Sequence, residues 1–286
     1  VNSVQADILG ITAQKSASKG SVLTSLATLF VLTLRQHLRG RRLIVLCFLF
    51  LLPSVLAIII KLSSEPLRPN EFGEIEFALV LNLLPSALAT LTALLYAAGM
   101  VRDEIEEQTL TYLLLRPLPR WALYITKLLA TILVTSLLTG LFTVLTLIVI
   151  YWDAPDQWHA VLVERAPRTV ALLAVAQAGY CSLFGAISLI LRWALVTGIG
   201  YIILFEGLLA NLDFLTRRLT VMYYFRVLAM RWFDPPESKE WSIDLATAPS
   251  AGNCLLVLLL TSLVLMLFGA WRMMRGEFRM KVPEGS

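Results

Sequence analysis

The chain has 286 residues, 58% of them hydrophobic and 15% charged, with a mean hydropathy of +0.76. A soluble domain of this size could not hide so much apolar surface, which excludes an ordinary globular enzyme or binding module. The formal net charge of +4 reflects basic residues gathered near the ends of apolar runs, not the basic stripe of a nucleic-acid surface.

The apolar residues fall in runs of about 20, the length a helix needs to cross a ~30 Å hydrocarbon core. Irregular backbone cannot face lipid, so these runs are predicted to be helices in an all-α integral membrane protein. Residues 1–20 are polar and lack the apolar core of a secretory signal. Residues 21–42 are amphipathic: Leu23, Leu26, Phe30, Leu34 and Leu38 recur at helical spacing, and the stretch ends in a cationic cluster. This reads as an elbow helix lying in the inner leaflet, with a seventh span as the competing reading.

Six spans are expected within 43–275, at 43–60, 77–100, 122–151, 169–191, 194–211 and 252–271. The third, at about 30 residues and some 45 Å, must tilt or protrude. Residues 153–168 read as a polar connection. Residues 212–250 read as an outer segment whose Tyr223, Tyr224, Phe225, Arg226, Arg231 and Trp232 suit a helix resting at the interface. Residues 276–286 form a tail. Placing both termini inside puts 15 of the 24 basic residues on the cytoplasmic side, with Arg39, Arg41 and Arg42 at one membrane edge and Arg272 to Arg279 at another.

Several chemistries are missing. No GxxxxGK[ST] phosphate loop occurs, and no GxSxG nucleophile elbow. His37 and His159 fall on opposite sides of the membrane in this topology, and Cys47, Cys181 and Cys254 sit within spans at spacings that match no metal motif. No catalytic, cofactor or metal residue is therefore assigned to the chain.

Between the second and third spans lies RDEIEEQTLTYLLLRPLPRWALYITK, residues 102–127. Asp103 with Glu106 three residues on resembles a capping box, and Glu104, Glu106 and Glu107 fall where a helix dipole favours negative charge. Leu110, Leu113, Leu114 and Pro117 make an apolar edge; Glu104, Glu107, Gln108 and Thr111 make a polar one. Pro117 and Pro119 stop the helix. A separate helix over 103–117 that docks a soluble partner is the expectation, because a charged loop lying on anionic headgroups would not gather acids.

At these residues the chain resembles the ABC type-2 permeases, the membrane subunits of ABC exporters. Their pattern is an acidic pair, Gly-Thr-Leu, further leucines, Pro, Arg and a later Lys. Glu104, Glu107, Thr109-Leu110, Leu113-Leu114, Pro117, Arg120 and Lys127 follow that order, with Gln108 where the commonest form has Gly. The resemblance implies a coupling helix that inserts in a groove of a separate ATPase subunit, which binds ATP and Mg. It implies two permease copies, or this chain with a close relative, in a bacterial cytoplasmic membrane. The coupling role carries over onto Glu104, Glu106, Glu107, Gln108, Thr109, Thr111 and Arg116. A membrane protein that recruits a soluble partner for assembly or regulation, without transport, is the alternative.

Glu206 lies roughly 21 Å into the fifth span. An ionisable group at that depth is costly and faces protein or water, so it reads as a pathway or dimer-interface acid, against an acid reached near the outer surface. Ala174, Ala178, Gly179 and Gly185 of the fourth span read as a close-packing surface.

Overall fold

The computed structural model describes residues 24–63, 69–106, 119–157, 160–191, 193–208, 218, 220–233, 241 and 243–275. Among them all regular structure is helical. Helix α1 covers residues 24–39 and bends at Gly40 into α2, Arg41–Ser63. The burial does not follow the expected faces: Leu29 and Thr33 of α1 are buried, while Leu38 of the expected apolar face is exposed, as are Val31 and Leu32.

The second span is one long helical rod. It begins with α3, Pro69–Glu76, widens to a π-helix over Phe77–Ala89 and continues as α4, Thr90–Glu106. Pro85 has no N–H to donate and its ring crowds the preceding turn, and a wider turn relieves both problems. Hydroxyls cover loosened carbonyls nearby: Ser86 donates to Asn82 O, and Thr90 to Ser86 O at 2.8 Å. The helix expected to start at Asp103 does not start there. Helix α4 runs unbroken through Asp103 to Glu106, because no breaker precedes Asp103 and extending an existing helix is easier than nucleating a new one. Residues 107–118 lie outside the described residues.

Helix α5, Arg120–Tyr151, has 32 residues and reaches about 48 Å. Pro119 is extended (φ −66°, ψ 134°), so α5 starts abruptly, its first amides at Ala122 and Leu123 donating to Pro119 O. The fourth span departs from expectation. It is helical from Ala160, first as a π-helix to Arg165 and then as α6, Ala166–Ile190, so much of the supposed connection belongs to the span. Two contacts reward the extra turns: Val161 is buried, and Arg165 Nη1 donates to Glu76 Oε2 at 3.0 Å. Tyr151 OH donates to the same oxygen, joining three spans at one carboxylate.

Helix α7, Ala194–Tyr201, passes into a π-helix at Ile202–Leu208. Together they form an apolar helix of 15 residues, about 22 Å long. The remainder of the expected fifth span, 209–211, lies outside the described residues. Then come α8, Val221–Phe233, and α9, Ala251–Arg275. Among the described residues five helices are long and apolar enough to cross a membrane: Arg41–Ser63, Glu71–Met100, Arg120–Tyr151, Ala160–Ile190 and Ala251–Arg275.

Helix α8, within the segment expected to rest at the outer interface, packs against the rest of the protein. Eight of its 13 residues are buried, among them Phe225, Arg226 and Met230, and it packs against α6, α9 and the π-helix of the second span. Its aromatic and basic residues meet protein: the Arg226 guanidinium lies 5.5 Å from the Trp241 ring centroid, and Trp241 meets Phe77. An interfacial helix and an inserted one share this composition, since both need apolar bodies with polar tips.

Helix α6 is the hub, packed against α4, α5, α8 and α9. Its small residues serve close approach as expected: Gly179 faces Val221 and Ser262, and Gly185 faces Tyr124 and Met100. Helix α5 contributes a seam of buried threonines at Thr131, Thr135, Thr139, Thr143 and Thr146. Thr131, Thr135, Thr143 and Thr146 each donate to the carbonyl four residues back, at 2.8–2.9 Å. The seam also reaches sideways, from Thr135 to Cys181 Sγ and from Thr146 to Ser54 Oγ.

A close-packing test lies at Gly269 of α9. A Cβ there would fall on the Tyr124 hydroxyl and 2.7 Å from its Cε1. The Tyr124 ring is fully buried and cannot swing aside. Gly269→Ala is expected to destabilise the protein by about 1–3 kcal/mol, read as a lower midpoint in thermal unfolding in detergent. Tyr124→Leu in the same chain should recover most of the loss; an unshifted midpoint in the single variant contradicts this packing.

Candidate functional site

The segment carrying the expected coupling residues is mounted between two helices whose ends are described. Glu104 and Glu106 lie in the last turns of α4. Glu107, Gln108, Thr109, Thr111 and Arg116 lie outside the described residues, and the chain is described again from Pro119. Twelve residues, 107–118, separate the two described helix ends, and the contacts between those ends can be described.

Lys127 is the main fastening. It sits two turns inside α5, is 2% exposed, and its Nζ donates to Met100 O of α4 at 3.2 Å. A buried ammonium is tolerated only where it is paired or hydrogen-bonded, and a bond from a charged donor contributes about 1.5–3 kcal/mol. One turn further along, Thr131 Oγ1 donates to Lys127 O at 2.9 Å and lies 3.0 Å from His37 Nε2. The hydroxyl has one proton; directed at Lys127 O, it leaves its oxygen to accept from the His37 ring N–H.

His37 brings α1 into the same cluster. Tyr96 OH donates to His37 O at 3.3 Å, and the two rings meet edge to face with centroids 4.8 Å apart. Burial, reinforced by the nearby charges of Lys127 and Arg42, pushes the His37 pKa down to about 4. The imidazole is therefore neutral at physiological pH, as its role between a hydroxyl and a ring requires. Arg42 Nη1 donates to Leu95 O at 3.4 Å, so the turn after α1 is also tied to α4. Helix α1, the second span and the third span are thus joined near the described helix ends that flank residues 107–118. Of this cluster, sequence reading named Lys127 as the last residue of the family pattern and His37 only as a non-ligand. It missed Tyr96, Met100 and Thr131; the four-residue spacing of Thr131, Thr135, Thr139 and Thr143 was the available signal.

Glu206 belongs to a second constellation, remote from the first in sequence. Its carboxylate is 3% exposed. Oε1 accepts from Tyr201 OH at 3.1 Å, and Oε2 accepts from the Met222 amide at 3.3 Å. Met222 stands in the first turn of α8, whose Tyr223 amide is taken by Thr220 Oγ1 at 3.2 Å. Two otherwise unpaired first-turn donors are satisfied in this way, and the acid sits at the positive end of a helix dipole. The five-residue step from Tyr201 to Glu206 fits the widened turns of the π-helix at Ile202–Leu208. Glu206 turns inward and holds α8 in the bundle. On the same helix Val196, Ile199 and Ile203 are exposed, Ile203 at 67%.

Comparison with known proteins bears on the first constellation. No curated protein matches the chain significantly. Residues 35–164 match the family model described as "ABC-2 family transporter protein". That stretch takes in the end of the elbow helix, the first three spans with the segment between them, and the start of the fourth. It contains His37, Arg42, Tyr96, Met100, Lys127 and Thr131; the match over these residues supports the ABC-2 permease family, and the five long apolar helices support a multi-pass membrane protein.

Proposed function

We propose that this chain is the permease subunit of an ABC exporter, moving a substrate across the membrane with energy from ATP hydrolysed by a separate ATPase subunit. The observation that carries the proposal is the acidic segment at 103–117, set within the family-matched region between two spans that Lys127 fastens together. The chain has no phosphate loop, so ATP and Mg are assigned to the partner. Glu104, Glu106, Glu107, Gln108, Thr109, Thr111 and Arg116 form the surface the ATPase grips, and Glu107 and Thr109 lie at its centre. A segment tied at both ends passes a displacement to the second and third spans, and through His37 and Thr131 to the elbow helix. Both termini lie on the cytoplasmic side, on the strength of the Lys and Arg distribution.

Two copies, or this chain with a close relative, make the working unit. One segment engages one motor domain, nucleotide held between two motor domains requires a pair, and two-fold symmetry is the commonest way to supply it. The first span and α7 form the contact. Both carry rows of exposed apolar side chains, Ile44, Phe48 and Val55 on one and Val196, Ile199 and Ile203 on the other.

Three measurements test these proposals. The double variant Glu107→Lys, Thr109→Arg is expected to insert normally while losing substrate-stimulated ATPase activity by about tenfold or more, the scale of one disrupted interface hot spot. Full stimulation in an inserted double variant would reject the coupling role. For orientation, single cysteines at Glu74, Asp156 and Lys239 should react in intact cells with an impermeant thiol reagent, and one at Gln108 should not; labelling at Gln108 would reverse the topology. For assembly, cysteines at Val196, Ile199 and Ile203 should cross-link between protomers, whereas one at the inward-turned Glu206 should not. Absence of cross-links on every face of α7 and α2 defeats the dimer.

A further inference from the structure

Helices α2 and α5 run side by side in register. Phe50 stacks on Phe142, Ser54 meets Thr146 and Lys61 pairs with Asp153, the two polar pairs each 92 residues apart. At the end remote from the His37 cluster the helices part into a groove of about 400 Å3. Ile58, Lys61 and Leu62 line one side of it, and Val149, Trp152 and Asp153 the other. Each trio follows the i, i+3, i+4 spacing, so each occupies a single helix flank. The apolar lining is open to the surroundings: Ile58, Leu62 and Trp152 are 45%, 82% and 68% exposed. The same flanks continue toward the middle of the spans in exposed Leu51, seven residues before Ile58, and in exposed Leu145 and Leu141, four and eight before Val149.

The polar end of the groove carries both signs. Lys61 gives one of its three N–H donors to Asp153 Oδ2 at 3.1 Å, and its ammonium lies 5.8 Å from the Phe72 ring centroid. Two donors remain, and so does Oδ1 of Asp153, whose side chain is 67% exposed. A ligand that matches this pair brings an acceptor for Lys61, a donor for Asp153 close by, and an apolar tail for the track between α2 and α5. An anionic headgroup meets Asp153 with the wrong sign, and a soluble zwitterion leaves Leu62, Trp152 and Leu145 uncovered. We propose that the groove binds one ethanolamine phospholipid. Its phosphate accepts from Lys61, its ammonium donates to Asp153, and one acyl chain lies along Leu51, Leu145 and Leu141. A choline headgroup has the same charges but no N–H to donate, so Asp153 distinguishes the two. The α2 row proposed above for the partner contact adjoins this flank, which makes a second copy of the chain the competing occupant. Assignment to the outer leaflet rests on the orientation proposed above; the chemistry of the groove does not.

Native mass spectrometry of the full-length protein in a neutral detergent tests the assignment, with phosphatidylethanolamine, phosphatidylcholine and phosphatidylglycerol of the same acyl chains as probes. One phosphatidylethanolamine should be retained in preference to the other two. Asp153→Asn should lower its retention about tenfold, to the level of phosphatidylcholine, the scale of one hydrogen bond to a charged group. Asp156→Asn, which neutralises an exposed acid outside the groove, should leave retention unchanged. Ile58→Trp keeps both charges and fills the groove; it should also lose the lipid, which keeps the test decisive if Asp153→Asn does not fold. Equal retention of the ethanolamine and choline lipids, or equal losses in the two aspartate variants, overturns the proposal. So does cross-linking of Val149→Cys between protomers in membranes, which would place a second copy in the groove.

Discussion

In hydrocarbon no water is available to satisfy a polar group, and this protein is organised around that shortage. The backbone solves its part of the problem by becoming helix throughout the spans. The side chains solve theirs by bonding within their own helix first and outward second. The α5 threonines show the order: the hydroxyls of Thr131, Thr135 and Thr146 return to carbonyls one turn back, and their oxygens still meet His37, Cys181 and Ser54 on three other helices. The seam adds polar contact between spans without a charge and leaves the lipid-facing side of α5 to Leu133, Leu137 and Leu141.

Two of the buried charged side chains follow the same logic. Lys127 finds a backbone carbonyl on the neighbouring span, and Glu206 finds first-turn amides of α8. Each takes a backbone group of a neighbouring helix as the partner, and neither depends on an opposite charge for the bond described. The consequences differ by position. Lys127 makes a rigid mount for the two spans that flank residues 107–118, whereas Glu206 keeps a short helix docked among longer ones. The π-helical stretches at Phe77–Ala89, Ala160–Arg165 and Ile202–Leu208 lie in the helices that meet these docked parts, and each re-aims side chains that a regular α-helix would point elsewhere.

Much was legible in advance because it depends on local quantities. Apolar run length located the first, third and last spans to within about four residues and the end of the second, whose start lies six residues earlier than expected, since hydrocarbon thickness imposes length directly. The helix α1 and its bend at Gly40, within the Arg39 to Arg42 cluster, were also readable, although the face it buries was not. The motif from Glu104 to Lys127 pointed to the permease family, and the match over residues 35–164 agrees. The misses have different causes. Asp103 carries a capping signature that the helix already running through it overrides, whereas the start of the fourth span is stabilised by Arg165 reaching Glu76, a partner distant in sequence.

Composition, run length and charge asymmetry by themselves determined that this chain is a helical membrane protein, where most of its spans lie and which segment interrupts them with acids. Those properties follow from transfer of each residue between water and lipid, which needs no neighbour. Which polar groups meet was decided by the tertiary structure alone. Lys127 with Met100, His37 with Thr131 and Tyr96, and Glu206 with the start of α8 are bonds between helices separated in sequence, and their register is set by how Gly179, Gly185 and Gly269 let the helices approach. A one-dimensional pattern carries the cost of burying a polar group but not the identity of the partner that offsets it.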